Sequence, residues 1–289
     1  MTVSPTTRPS KIDVSRQIPT LADFAVETIR LHPRRSSDES DLKSKFGGAF
    51  RWPIDAPWPT LSSVDESYDE NTPLIPLLQI DKRDFPAFDF APGTNLMHLL
   101  WTPVAYPPPI FIAKSFVYWW DQDKVDCHQV AHASPGDFVP QSCTVNPESV
   151  VEYPVAQELS KHILYDVVDR ILEIEGEQDE DIALEIYDCE LSSCPSTKLG
   201  GSVAWIQEQQ RPKCRCGNMM DHLLTISSQE FDKANYVRWC PAEEPNIWEK
   251  DYEERKVIQR PLIDRISGRQ CIFCCKDCPE WPISSVFQS

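Results

Sequence analysis

The chain has 289 residues, 41% of them apolar, and carries 45 Asp and Glu against 28 Lys and Arg, a net charge of −17. That balance argues against nucleic acid as the main ligand, because phosphate neutralisation needs a concentrated basic face. No uncharged apolar run approaches the roughly 18 residues of a membrane span.

In chain order, residues 1–18 read as a disordered tail without the apolar core of a secretory signal, which implies a cytoplasmic protein. Residues 20–30 read as a helix, with Thr20 as N-cap and Leu21, Phe24 and Ile29 facing the core. Short β-branched or aromatic runs bounded by Pro, Asp or Gly predict strands at 74–80, 96–101 and 110–120. A helix is expected over 155–173, where Val155, Leu159, Ile163, Val167 and Ile171 recur every four residues. Residues 173–190 follow, with nine carboxylates and no Lys or Arg. They read as a solvated linker and helix end, the sharper alternative being a docking strip for a basic polypeptide. Further strands are predicted at 202–206, 223–226, 235–239 and 270–275. With 26 prolines against 9 glycines, long helices should be few. The expected fold class is α+β, mostly β.

Three landmarks recur in order. Lys45-Phe46-Gly47-Gly48 returns as Lys198-Leu199-Gly200-Gly201, Leu77-Leu78-Gln79-Ile80 as Leu223-Leu224-Thr225-Ile226, and Trp101-Thr102-Pro103 as Trp239-Cys240-Pro241. The spacing between copies shrinks along the chain, as expected of a duplicated unit whose loops vary more than its strands. Two related halves packed as one body are therefore predicted, 19–150 and 191–289, joined by a linking helix and acidic segment over 151–190. Paired glycines allow positive φ, so each Lys-x-Gly-Gly should form a tight corner. Trp58 and Trp205 follow these corners, and tryptophan is favoured at binding hot spots. With Lys45, Gly47, Gly48, Lys198, Gly200 and Gly201 they are the candidate binding residues for a polypeptide in a groove between the halves. The competing reading makes the tryptophans core aromatics and the lysines salt-bridged structural residues.

Sulfur is concentrated in the second half. Cys214-x-Cys216-Gly217 and Cys275-x2-Cys278 can supply four thiolates to one tetrahedral zinc, with Gly217 relieving the turn. The alternatives are small buried hydrophobes and redox chemistry. Cys274, one residue from Cys275 on a strand, would then point to the other face. Cys127, His128, His132 and Cys143 lack knuckle spacing and read as incidental neighbours. No strong catalytic signature occurs, so an enzyme is the rival reading. It would be favoured by a pKa-perturbed His98, His128 or His222 in the largest pocket.

These motifs, together with Cys-x-Cys-Gly-x-Met-x3-Leu-Leu-x-Ile over 214–226 and Ile-Phe-x-Cys-x2-Cys-Pro over 272–279, resemble the YwqG-like family of bacterial proteins. More distantly, the Lys-x-Gly-Gly and Cys-Gly elements are similar to programmed-cell-death-2 type proteins, whose relatives are chaperones for a ribosomal protein. The resemblance implies a duplicated, mostly β α+β fold and a chaperone-like, polypeptide-binding role. It also carries an alternative, an immunity protein that neutralises a toxin.

Overall fold

The computed structural model describes residues 6–36, 44–66, 71–103, 113–130, 138–263 and 267–289. The first third of the chain holds α1 (Val14–Gln17), α2 (Pro19–Ala22), β1 (Val26–Arg30), β2 (Arg34–Arg35), β3 (Lys45–Phe46), β4 (Phe50–Pro53), α3 (Leu61–Val64), β5 (Ile75–Asp81) and β6 (Leu96–Trp101). Next come β7 (Ser115–Trp120), β8 (Cys127–Val130), β9 (Cys143–Thr144), β10 (Glu148–Glu152), α4 (Lys161–Glu175) and α5 (Glu180–Glu190). The chain closes with β11 (Lys198–Gly200), β12 (Asp221–Ser227), α6 (Tyr236–Trp239), α7 (Tyr252–Gln259), β13 (Arg269–Cys274) and β14 (Ile283–Gln288). Strand outweighs helix, 27% to 22%, and all strand pairing is antiparallel among the described residues.

Two six-stranded sheets dominate, ordered β2-β9-β3-β5-β6-β7 and β10-β1-β11-β12-β13-β14. Alternation along each strand sends one row of side chains to a common core. Phe46, Leu78, Ile80, Met97 and Leu99 meet Leu199, Leu224, Ile226, Ile272 and Cys274 there, all nearly fully buried. The outer face of the first sheet is covered by the β4–β8 ribbon through Phe50 and Trp52. That of the second is covered by Val203, Trp205 and Met220.

The sheets share their internal layout. Lys45 faces Gln79 and Phe46 faces Leu78, as Lys198 faces Thr225 and Leu199 faces Leu224. The register slips past Leu77 in β5 and past Leu223 in β12, the same place in both ladders. The glycine corners also agree, with φ of +59° and +67° at Gly47 and Gly48 against +64° and +72° at Gly200 and Gly201. The third expected landmark fails, because Trp101 ends strand β6 whereas Trp239 ends helix α6. Nor does Trp58 occupy the place that Trp205 does. Trp52 follows Lys45 at the interval at which Trp205 follows Lys198, and each lies over an outer face, Trp52 stacking on His98 and Trp205 on Phe273.

The expected boundaries at 18 and 150 are corrected by packing. Residues 6–18 are no loose tail: Ile12, Val14 and Ile18 are buried against Val167, Val168 and Ile171 of α4 and Ala183 and Tyr187 of α5. The segments holding β1–β2 and β9–β10 run antiparallel through both sheets in one register. Val26 faces Glu152, Arg30 faces Glu148 and Arg34 faces Thr144, each step of four matched by a step of four back. β1 and β2 lie in different sheets, as do β9 and β10, so this ribbon laces the halves together.

Several elements differ from expectation for local reasons. Residues 26–30 form a strand because Val26, Thr28 and Ile29 are β-branched and find open ladders on both sides, in β10 and β11. Residues 236–239 are a helical turn, and 202–206 leave the sheet after the Gly200-Gly201 corner. The helix expected from Val155 begins at Lys161, where Ser160 caps it by accepting from the Ile163 amide, and stops at Gly176 with φ +70°. The acidic stretch becomes α5 rather than a linker.

Candidate metal centre

Two tight turns deliver four cysteines to one spot. A Lys213–Met219 bridge closes the first, where the Cys214 amide donates to the Asn218 carbonyl at 2.8 Å and the Gly217 amide to the Cys214 carbonyl at 2.9 Å. Gly217 sits at φ +96°, a conformation that side chains resist. The second turn follows β13, where the Cys275 amide bonds to the Pro282 carbonyl and the Cys278 amide to the Cys275 carbonyl. Asn218 Nδ2 donates to Asp277 Oδ2 at 2.8 Å and ties the two turns.

The sulfurs of Cys214, Cys216, Cys275 and Cys278 all lie within 4.8 Å of one another. Cys214 and Cys278 are separated by 3.7 Å, and Cys216 and Cys275 by 3.6 Å. A tetrahedron with metal–sulfur bonds near 2.3 Å has edges of about 3.8 Å, close to these two separations, so these four thiolates could hold a metal ion. In both turns an amide two residues on donates to a sulfur, Cys216 to Cys214 and Asp277 to Cys275. The Cys216 amide is the largest cause that brings the Cys214 thiol down to about 7, whereas the hydrogen bond to Cys214 leads in pushing Cys278 up to about 12. Cys214 thus gives up its proton readily while Cys278 beside it holds its own, a frustration that a cation relieves. Cys274 turns away into the core between the sheets, as alternation requires, and Cys271 packs under Trp205.

The expected binding residues fall elsewhere. Lys198 is fully buried, its Nζ 2.7 and 2.8 Å from the two oxygens of a fully buried Glu152, which also accepts from the Cys194 and Ser202 amides. Lys45 is 3% exposed. Trp58 is half-buried and donates to the Leu74 carbonyl, while Trp205 donates to Glu158 Oε1 at 3.2 Å. Gly200 and Gly201 turn beside the ion pair, and Gly47 turns against Pro140. The structure therefore brings the four cysteines together but disperses the lysine and tryptophan set. Cys127 and Cys143 lie in different sheets, and His132 lies outside the described residues.

At the seam between the halves, the cavity beside Trp101, Ile226 and Leu262 is only about 10 Å³, since core side chains fill it. A far larger cleft, about 620 Å³, lies between residues 7–15 and the β10 edge, with Tyr153, Leu191 and Arg238 completing its wall. Nothing in the residue pattern announced it, because residues 1–18 carry no strong periodicity. The histidines lie in packed surroundings. His98 is sealed between Phe50 and Trp52, and His222 bonds the Gly201 carbonyl and Thr225 Oγ1. Burial is the main cause that lowers both to about 3.

No family model matches the chain, and no curated protein matches it either. No helix among the described residues is long and apolar enough to cross a membrane.

Proposed function

We propose that this is a non-enzymatic, chaperone-like polypeptide-binding protein whose second sheet is secured by a structural zinc. One observation carries the binding reading, the cleft beside β10. β10 ends its sheet, and Arg238 Nη2 donates to the Val151 carbonyl from outside at 2.8 Å. By strand alternation the amide of Val151 and both backbone groups of Ser149 face the same way. Among the described residues they have no partner, so an extended segment can add to this edge. Val151 is 44% exposed and offers an apolar contact. The net charge of −17 favours a basic segment.

The enzyme reading is weaker because His98 and His222 line neither this cleft nor the seam cavity, and the third perturbed histidine, His32, is buried behind the cleft wall with its Nε2 engaged by Glu148. Zinc suits the metal site because tetrahedral thiolate sets select zinc or iron–sulfur clusters, and a structural zinc is closed by four such ligands. We also read the two sheets as copies of one duplicated unit, and the chain as a cytoplasmic YwqG-like relative. The matched registers, slips and glycine corners support the first.

Affinity capture from the native cytoplasm tests the binding reading. The expected result is one stoichiometric partner that is lost in Val151→Arg, an exposed substitution that leaves the fold intact. A partner retained by that variant, or none above background, contradicts it.

A further inference from the structure

A second cavity, of about 190 Å³, is lined by Gln157, Asp188, Ser192, Trp205, Asn235 and Arg269 among others. It is smaller than the roughly 300–1,000 Å³ of sites that take drug-sized ligands. Several of its polar groups keep hydrogen-bond donors that no partner among the described residues uses. Arg269 gives Nε to the Pro195 carbonyl at 3.2 Å and Nη1 to the Ala204 carbonyl at 2.9 Å, and among the described residues no carboxylate pairs with it. A guanidinium has five N–H donors, so most of the fork stays unspent. In a chain with 45 acidic residues against 28 basic ones, a part-buried arginine that forms no ion pair among the described residues stands out. Burial, the largest cause, lowers its pKa.

The neighbours complete the pattern. Ser192 is 3% exposed, and its hydroxyl has no hydrogen-bond partner among the described residues. Asn235 Oδ1 accepts from the Asp232 amide at 2.9 Å, which leaves both Nδ2 hydrogens unclaimed. Trp205, stacked on Phe273, is a rigid wall. A guanidinium edge, a hydroxyl and an amide NH2 are donors of the kind that complement an oxyanion.

We infer that this cavity is a binding site for the oxyanion group, carboxylate or phosphate, of a small molecule. Arg269 supplies the charge, and Ser192 and Asn235 fix the orientation. The site is independent of the β10 cleft.

Isothermal titration of the full chain with inorganic phosphate and separately with acetate, at matched ionic strength, tests this. Asn235→Asp keeps the acceptor for the Asp232 amide and places a carboxylate where the donors stood. Saturable binding of either anion, weakened at least about tenfold by that substitution, is expected, and the preferred anion distinguishes a phosphate from a carboxylate ligand. Ser192→Ala, which removes only the hydroxyl, is the second variant should Asn235→Asp fail to fold, and it too should weaken binding. Absence of saturable binding of both anions, or binding that a folded variant leaves unchanged, overturns the inference.

Discussion

Gly201 shows how a single residue carries the second sheet. A Cβ there would fall 2.3 Å from Glu152 Oε1 and 2.6 Å from Thr28 Cβ, against a carboxylate that cannot retreat without leaving buried Lys198 unpaired. Breaking a buried pair costs about 3–5 kcal/mol. Gly200, at φ +64°, meets nothing within 4 Å. Gly200→Ala should therefore cost only about 1–2 kcal/mol for its left-handed backbone, whereas Gly201→Ala should cost several-fold more in urea unfolding. Equal losses would contradict the clash. The histidines give a second prediction at this scale. Burial is the largest cause that lowers His32 to about 4 and His98 and His222 to about 3, from 6.5. The unfolded chain therefore takes up protons first as pH falls. Stability from these groups is full above pH 6.5 and is lost toward pH 4 and below, at about 1.4 kcal/mol per pH unit per proton. The urea midpoint should fall steadily between about pH 7 and pH 4.5; a flat or rising midpoint would contradict the assignment.

Among the elements, the N-terminal segment departs most from its sequence signal. Ile12, Val14 and Ile18 are each at most 5% exposed, yet they sit among Ser, Pro, Lys and Arg, and only the α4–α5 face reveals what they cover. Burying such a side chain contributes about 2 kcal/mol, so deleting residues 1–18 should lower the urea midpoint sharply. An unchanged midpoint would restore the reading of a loose tail. The cysteine turns were legible for the opposite reason. Their ligands lie two and three residues apart within each turn, and the strands that bring the turns together, β12 and β13, are paired neighbours. The strands of high apolar content, β5, β6, β12 and β13, were legible as well. β1 and β10 were not, because each takes its partner from more than a hundred residues away, and the binding set was misplaced because burial of Lys198 depends on Glu152, which no local pattern marks.

At the scale of the whole molecule, two sheets of like layout are laced by one ribbon and differ in how the outer face is closed. The first sheet uses the β4–β8 ribbon, with Trp52 among Trp58, His98, Tyr118 and Trp120. The second uses Trp205 and the paired cysteine turns. With zinc held between those turns, as proposed, a metal does in one half what an aromatic cluster does in the other. Native mass spectrometry of the intact chain tests this most directly, since it weighs protein and ion together. One zinc per chain is predicted, lost in Cys216→Ser together with much of the stability, because structural zinc contributes folding free energy outright. A chain that carries no metal, or one whose stability is untouched when the metal is stripped, would contradict it.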